Sequence, residues 1–301
     1  MSCSTPAGAR AAALLAVLAA GCGGGRLPHD LSGTLLFVSN RDGRDAIFLR
    51  RLPDGADFVL VAQDEPVGEP AISPNGQEAA FSMRGRIGLV SLESHAVRFL
   101  TLGVDWKDAQ PAWRPDGRAL VVSSRQSDGA AAALHLLLVN PPPGTPLRQP
   151  LTRTEHLDDT HPTFAPDAKN VAFIRSDNVF RLELSSGRTQ RLTGGFRVMR
   201  YPRFLTSGRL ACLWSHGKQF GLDLMDADGQ NRETLAQGGD FYRSLAPSPD
   251  GKYLAVTLGF QANALKLRQS EEVDLLDERG RPLGTLAESF RSATHSPSWG
   301  R

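Results

Sequence analysis

The sequence predicts an all-β protein, a six-bladed β-propeller of four-stranded antiparallel blades. Three observations predict this class: a repeated pattern, strand-like runs within each repeat, and two half-repeats at the ends that complement each other. Repeats of about 40 to 50 residues made of short strands are typical of propellers. The repeats recur here at steps of 41, 51, 40 and 43 residues, and their aligned leading positions are Pro70, Pro111, Pro162, Pro202 and Leu245.

Each repeat has the same internal order. After the leading position comes an apolar residue and then a tight turn, as at Asn75-Gly76, Asp116-Gly117 and Asp250-Gly251. Such Asn-Gly and Asp-Gly steps favour turns because glycine readily adopts a positive φ. Two β-forming runs and a short outer strand follow. This order predicts four antiparallel strands per repeat.

The two ends of the chain supply the parts of one further blade. Residues 33–62 contain three strand-like runs without a leading strand, whereas Ser296–Gly300 reads "SPSWG" and matches the opening of a repeat. We therefore expect the C-terminal strand to close the first blade, with Trp299 at the aromatic position of the other repeats. The alternative, in which both ends fray as half-repeats, would leave strand edges uncovered.

The N-terminus predicts export. Residues 11–20 contain only Ala, Leu and Val, a run too short to span a bilayer but typical of a signal peptide. Leu18-Ala19-Ala20-Gly21-Cys22 resembles the lipobox of bacterial lipoproteins. That resemblance implies cleavage after Gly21 and a lipid on Cys22, which would attach the protein to the membrane. The alternative is an ordinary signal peptide that ends near a cysteine.

These features divide the chain into a lipoprotein signal peptide at residues 1–21, a tether at 22–30 and a propeller at 31–301. No aspartate follows Cys22, the residue that usually marks retention in the inner membrane of Gram-negative lipoproteins. The resemblance therefore implies a lipid-anchored protein of the cell envelope, at the outer membrane and facing the periplasm if the host is Gram-negative.

The repeats resemble those of TolB-like propellers, in which an aromatic-Ser-Pro-Asp-Gly turn precedes a strand. The likeness is good at Ser73–Gly76, at Arg114–Gly117 and at Ser248–Gly251. The sequence departs from it where Ala168 replaces the turn glycine and where Pro247 takes the aromatic position. The resemblance implies a six-bladed propeller in the cell envelope, but propellers carry many unrelated functions.

Composition and motifs exclude several functions. A net charge of +2 from 34 Lys and Arg against 32 Asp and Glu argues against nucleic acid as a partner. The sequence contains no Gly-x-Ser-x-Gly elbow and no metal-binding or cofactor-binding motif, so we expect no catalytic residues, metal or cofactor. The densest cluster, His156, Asp158, Asp159 and His161, is interpreted as a polar loop between blades. Cys212 lies in an apolar run and is expected to be buried and inert.

One set of residues is expected, from the geometry of a propeller, to lie close together and form a site. The innermost strands of a propeller converge on its axis, so the residues just before each leading position should ring the channel. These residues are Glu69, Gln110, His161, Tyr201, Ser244 and Ser296, with Arg200, Arg243 and His295 directly before three of them. They offer hydrogen-bonding and titratable groups to a peptide or a small ligand. The alternative is a funnel lined by solvated side chains.

The sequence thus predicts a non-catalytic, monomeric scaffold that binds a protein or peptide of the envelope. The competing hypothesis is a lyase-like or hydrolase-like propeller enzyme, or a binder of glycans or small ligands, with its site in the axial channel. Residues 266–282, rich in charge, are expected to form a solvated hairpin that lengthens the last blade.

Overall fold

The structure is a computed structural model that describes residues 27–238, 241–259, 271–288 and 294–301. Within these residues, 24 strands form six antiparallel sheets of four strands each, which confirms the predicted fold class. No α-helix in the described ranges is long and apolar enough to cross a membrane. The predicted signal peptide and Cys22 lie outside the described residues.

Each sheet is one blade, with its innermost strand at the axis. From the axis outwards, blade 1 contains β24 (Thr294–Gly300), β1 (Gly33–Ser39), β2 (Ala46–Leu52) and β3 (Phe58–Ala62). Blade 2 contains β4 (Val67–Ile72), β5 (Glu78–Met83), β6 (Arg86–Ser91) and β7 (Val97–Phe99). Blade 3 contains β8 (Trp106–Trp113), β9 (Ala119–Gln126), β10 (Ala133–Leu138) and β11 (Arg148–Pro150).

The second half of the molecule repeats this order. Blade 4 contains β12 (Thr160–Phe164), β13 (Asn170–Arg175), β14 (Asn178–Glu183) and β15 (Thr189–Arg191). Blade 5 contains β16 (Val198–Phe204), β17 (Leu210–His216), β18 (Gln219–Met225) and β19 (Glu233–Gly238). Blade 6 contains β20 (Phe241–Pro247), β21 (Tyr253–Gly259), β22 (Glu271–Asp277) and β23 (Pro282–Glu288).

The C-terminal strand closes the first blade, as the complementary ends predicted. Strand β24 pairs antiparallel with β1, with Trp299 opposite Leu35. The Trp299 indole Nε1 donates a hydrogen bond to the Ser32 carbonyl at 3.0 Å, and its ring stacks on Tyr253 of blade 6. The six inner strands contact one another in a closed ring. Closure therefore joins the two ends of the chain and seals blade 1 against blade 6.

The hydrophobic core lies between neighbouring blades. Each buried cluster combines side chains from two adjacent sheets, for example Phe37 of blade 1 with Val273 and Ala246 of blade 6. The middle strands read as continuous apolar runs because both of their faces are covered. Phe37, Phe81 and Phe173, each on the second strand of its blade, are among the largest fully buried side chains. The blades are thus held together by apolar packing around the ring.

The expectation of a solvated hairpin at residues 266–282 is wrong in its second half. Strand β22 occupies Glu271–Asp277 as the third strand of blade 6, and it pairs with both β21 and β23. Val273 and Leu275 are fully buried. Alternation of apolar and acidic residues in this run places the apolar side chains against the neighbouring blade. Residues 260–270 are outside the described ranges.

Residues 27–30, the part of the predicted tether that the structure describes, lie against the propeller. Leu27 packs on the cluster between blades 1 and 6. Asp30 accepts hydrogen bonds from Lys252 Nζ at 2.8 Å and Tyr253 Oη at 2.6 Å. These two bonds lower the pKa of Asp30 to about 2. The chain therefore enters the propeller beside the turn between β20 and β21.

Truncating Trp299 is expected to destabilise the whole propeller. Trp299→Ala removes a ring that is only 8% exposed, together with its hydrogen bond to Ser32. Loss of a buried tryptophan costs about 3 to 5 kcal/mol, so the midpoint of thermal unfolding should fall by several degrees. Phe196→Ala is the matched control, since the Phe196 side chain is 90% exposed. Equal midpoints for the two variants would contradict closure by β24.

Candidate functional site

Five inner strands carry a left-handed residue directly before a proline. Their φ angles lie between 48° and 56°, at Glu69, Gln110, His161, Tyr201 and Ser296. Each of these residues and its proline lie in a bulge, where the pairing with the second strand shifts register. Left-handed backbone is costly for residues other than glycine. The same strained geometry therefore recurs at the positions that the sequence singled out.

These residues meet in one cavity of about 290 Å³ on the propeller axis. We call the six residues at one end of the cavity the channel ring; they are Glu69, Gln110, His161, Tyr201, Ser244 and Ser296. Further along the inner strands the cavity wall includes Trp113, Phe164, Phe204 and Trp299. The cavity thus combines a polar end with an aromatic one.

The other three candidate residues do not line this cavity. Arg200 pairs with Asp177 at 2.7 Å and lines a separate surface cavity between blades. Arg243 pairs with Glu271 at 2.7 Å. Each stands one position before a ring residue, but its ion pair lies outside the axial cavity.

The third, His295, stands beside the ring without lining the cavity. Its Nδ1 lies 2.9 Å from the Ser296 hydroxyl. Burial lowers the pKa of His295, so its imidazole is neutral at pH 7.

Hydrogen bonds link ring residues of neighbouring blades. Glu69 Oε2 accepts from the Gln110 backbone N–H at 2.7 Å, and Gln110 Oε1 accepts from the His161 N–H at 2.7 Å. Ser244 Oγ accepts from the Ser296 N–H at 3.0 Å. In each case the side chain of one ring residue binds the left-handed backbone of the next. The hydrogen bonds therefore join the ring residues into two groups, Glu69 with Gln110 and His161, and Ser244 with Ser296.

The protonation state of His161 follows from its partners. The Gln110 amide uses its oxygen for the His161 backbone, so its nitrogen donates to His161 Nε2 at 3.2 Å. Nε2 then accepts, and the ring proton lies on Nδ1, which donates to Thr160 Oγ1 at 3.2 Å. Burial, together with Arg203 and Arg200, lowers the pKa of His161 to about 3. The imidazole is therefore neutral at pH 7.

Tyr201 completes this side of the ring. Its phenol ring meets the imidazole of His161 edge to face, with 4.3 Å between the centroids. Burial, with a further contribution from Glu69, raises the pKa of Tyr201, so its hydroxyl stays protonated. Gln110, His161 and Tyr201 thus present an uncharged wall of donors, acceptors and aromatic surface.

Blade 6 departs from the pattern of the other five. It has Leu245 where they have proline, and its strands pair regularly through Ser244 and Leu245, with the register shift at Arg243 instead. The Ser244 hydroxyl lies 2.8 Å from the Thr257 hydroxyl. Without a proline, the inner strand keeps its ladder at this position, and Ser244 is absent from the left-handed residues.

The densest cluster of His and Asp residues is spread apart by the fold. Asp159 is fully buried and binds Arg175, with 2.6 Å between Oδ1 and Nε. Asp158 accepts from the Ala132 N–H at 2.8 Å, whereas His156 is exposed on its loop. Of the four residues in this cluster, only His161 lines the axial cavity. The described ranges contain no group of three or more His, Cys, Asp or Glu arranged to hold a metal.

Cys212 is buried, as its apolar run predicted. Burial raises the pKa of its thiol well above the ordinary value. A thiol in this state is a poor nucleophile at neutral pH.

Arg203 is the lining residue that the sequence analysis missed. It follows Pro202 in β16 and lines the axial cavity. A signal was available, because the residue after the leading position is small in the other five repeats: Ala71, Ala112, Thr163, Ala246 and Ser298. Arg203 is the sole charged residue at that level of the repeat.

Comparison with known proteins identifies the fold. No family model matches the chain. The TolB homolog of Chlorobium luteolum is 29% identical over 162 residues, which cover 52% of this chain and 35% of that protein. The chain thus matches about a third of the length of this curated relative.

Two solved structures extend the likeness to nearly the whole chain. TolB from Acinetobacter baumannii superimposes with a TM-score of 0.76 at 17% identity, covering 91% of this chain and 68% of that one. An oligogalacturonate lyase in complex with manganese has a TM-score of 0.60 at 12% identity, covering 84% and 73%. The fold is therefore a TolB-like six-bladed propeller, and it is shared with an enzyme.

The depressed pKa of His161 predicts a pH-dependent stability. Unfolding restores the ordinary pKa of 6.5 from its folded value of about 3, so the unfolded chain binds the proton first. The free energy of unfolding should therefore fall as the pH falls from 6.5 towards 3, by at most about 1.4 kcal/mol per pH unit from this group.

Urea unfolding of wild type and His161→Gln between pH 7 and pH 4 measures this contribution. The difference between the two proteins should shrink as the pH falls. His216→Gln, at an exposed position, is the control and should follow wild type. A constant difference between wild type and His161→Gln would contradict a neutral, buried imidazole.

Proposed function

We propose that the protein is a non-catalytic, lipid-anchored scaffold of the cell envelope that binds a protein or peptide at the channel ring. The observation that carries this proposal is the convergence of ring residues from all six blades on one axial cavity. Strained backbone of this kind concentrates at functional sites. The TolB-like fold supports this proposal, because the resemblance to TolB-like propellers implies a protein of the envelope.

The chemistry of the ring favours binding over catalysis. A general acid or base needs a pKa near the operating pH, whereas the pKa of His161 is about 3 and that of Tyr201 is raised. Glu69 already accepts two hydrogen bonds, from Ser82 Oγ and from the Gln110 N–H. Because burial moves the pKa values of His161 and Tyr201 away from neutrality, both side chains are suited to recognising a partner's donors and acceptors.

An enzyme remains the second candidate because a lyase shares the fold. In that case the axial cavity would hold substrate, and its groups would exchange protons. The partner assay below separates the two hypotheses, since an enzyme of this kind needs no protein partner.

The anchor is proposed from the lipobox. Residues 27–30 already lie against the propeller through Leu27 and Asp30, so only a few residues separate Cys22 from the folded domain. At about 3.3 to 3.6 Å per residue, a lipid on Cys22 would hold the propeller close to the membrane surface.

Replacing the lipidated cysteine is expected to release the protein. Cys22→Ser removes the thiol that would carry the lipid, and a single remaining acyl chain or none gives marginal membrane binding. Fractionation of cells should therefore move the protein from the membrane to the soluble fraction. Cys212→Ser is the matched control and should stay with the membrane. A Cys22→Ser protein that remains membrane-bound in high salt would contradict the proposed lipid anchor.

Removing the aromatic wall of the ring is expected to abolish partner capture. The double variant His161→Ala, Tyr201→Ala deletes two neighbouring side chains of the ring, and tyrosine is among the residue types that dominate binding energy. Crosslinked pull-down from envelope membranes should lose the proteins that wild type recovers, with an expected loss of tenfold or more. Unfolding midpoints show whether the variant remains folded.

The matched control for this assay is Arg118→Ala, Lys169→Ala. Both residues are exposed in the turns after inner strands and neither lines the axial cavity. This variant should recover the same proteins as wild type. If the ring variant is folded and also recovers them equally, the ring is not the binding site.

A further inference from the structure

Arg203 places a lone cation in the axial cavity. At the same level of the repeat, the other five blades present small residues: Ala71, Ala112, Thr163, Ala246 and Ser298. These five short residues and Arg203 all line the cavity. The small neighbours leave room for the long side chain and still leave a cavity of about 290 Å³. The guanidinium therefore lies in a space that it does not fill.

Within the described ranges, Arg203 lacks a carboxylate partner, in contrast to Arg148 and Arg175 of the same chain. Arg148 binds buried Asp108 at 2.7 Å, and Arg175 binds buried Asp159 at 2.6 Å. Among the described residues, no carboxylate lies within ion-pair distance of Arg203. Its Nη1 donates to the Pro202 carbonyl at 2.9 Å. A guanidinium has five N–H donors, so most of its hydrogen-bonding capacity is available to a ligand.

The environment of Arg203 strengthens its interaction with an anion. Burial lowers its pKa, which means that its charge is partly removed from water, yet arginine stays protonated at neutral pH. Electrostatic attraction is larger where water is partly excluded. The polar groups beside it, His161 and Tyr201, are uncharged at pH 7 because of their own shifted pKa values.

Charge and shape select the kind of anion. Glu69 lines the same cavity from blade 2, three blades away from blade 5 and so across the axis. One cation and one carboxylate in a narrow space favour a singly charged anion over a dianion such as phosphate. A planar carboxylate matches the fork of the guanidinium and can accept two parallel hydrogen bonds. The cavity volume, at the low end for ligand pockets, limits the ligand to a small group.

We propose that the axial cavity is a binding site for a single carboxylate group, held by the guanidinium of Arg203. The carboxylate belongs to a small organic acid or to the end of a peptide chain. This inference stands apart from the proposed scaffold function, because it requires neither a lipid anchor nor a protein partner.

The test is calorimetric titration of the propeller with two carboxylate probes and their neutral counterparts. Acetate represents a free acid and N-acetyl-triglycine a chain end; acetamide and N-acetyl-triglycinamide lack the charge. At least one acid should bind wild type in the range up to about 10 mM, and its amide should not. Acetate binding alone assigns a small acid, whereas binding by the peptide acid alone assigns a chain end.

Variants then locate the site. Arg203→Ala should weaken binding at least tenfold, and Arg203→Lys should weaken it less because it keeps the charge but loses the fork. Arg200→Ala is the matched control: it removes a neighbouring arginine that does not line the cavity, and it should bind as wild type. Unfolding midpoints confirm that each variant is folded.

Three results would overturn the inference: neither acid binds, an amide binds as well as its acid, or folded Arg203→Ala and Arg203→Lys bind like wild type. None of these outcomes depends on whether the propeller captures an envelope protein. A negative calorimetric result therefore does not contradict the scaffold proposal, which the pull-down assay tests separately.

Discussion

A left-handed residue before a proline, present in five of the six inner strands, is the constraint on which the site depends. Five non-glycine residues hold φ near 50°, at a cost of about 1 to 2 kcal/mol each. Hydrogen bonds from the backbone N–H groups of Gln110, His161 and Ser296 to the ring side chain of the preceding blade offset part of this cost. Each bulge turns one side chain towards the axis. Without it, the inner strands would present an ordinary pleated face to the channel.

Blades 5 and 6 depart from this repeat, and the departures change the side chains that line the channel. Blade 6 lacks the proline, keeps its strand pairing through Ser244 and Leu245, and contributes the short Ser244 to the ring. Blade 5 adds Arg203 where its five counterparts are small. Symmetry of the fold thus produces a ring of equivalent positions, and the sequence differences among blades decide what that ring can bind. The same logic explains how one architecture serves both TolB and a lyase.

The repeat made most of the fold predictable, including closure by the C-terminal strand, because hydrophobic period and turn chemistry are local properties of the chain. The spacing of the leading positions, five prolines and Leu245, also pointed to the six residues that line one end of the axial cavity. Hydrogen bonds between blades were not predictable, since the one that the His161 N–H donates to the Gln110 side chain joins residues 51 apart. Arg200 and Arg243 were assigned to the ring by position, but they pair with Asp177 and Glu271 and do not line the axial cavity. Strand β22 was mistaken for a solvated hairpin because its acidic residues concealed the apolar alternation.

Amide hydrogen exchange of the ring tests the central claim most directly. If side chains of neighbouring blades hold the left-handed backbone, the amides of Gln110, His161 and Ser296 should exchange slowly despite facing a cavity. Their protection should approach that of the buried second strands. Glu69→Ala should release the Gln110 amide and leave that of Ser296 protected. Rapid exchange of all three amides in wild type, at rates typical of exposed loops, would contradict the account.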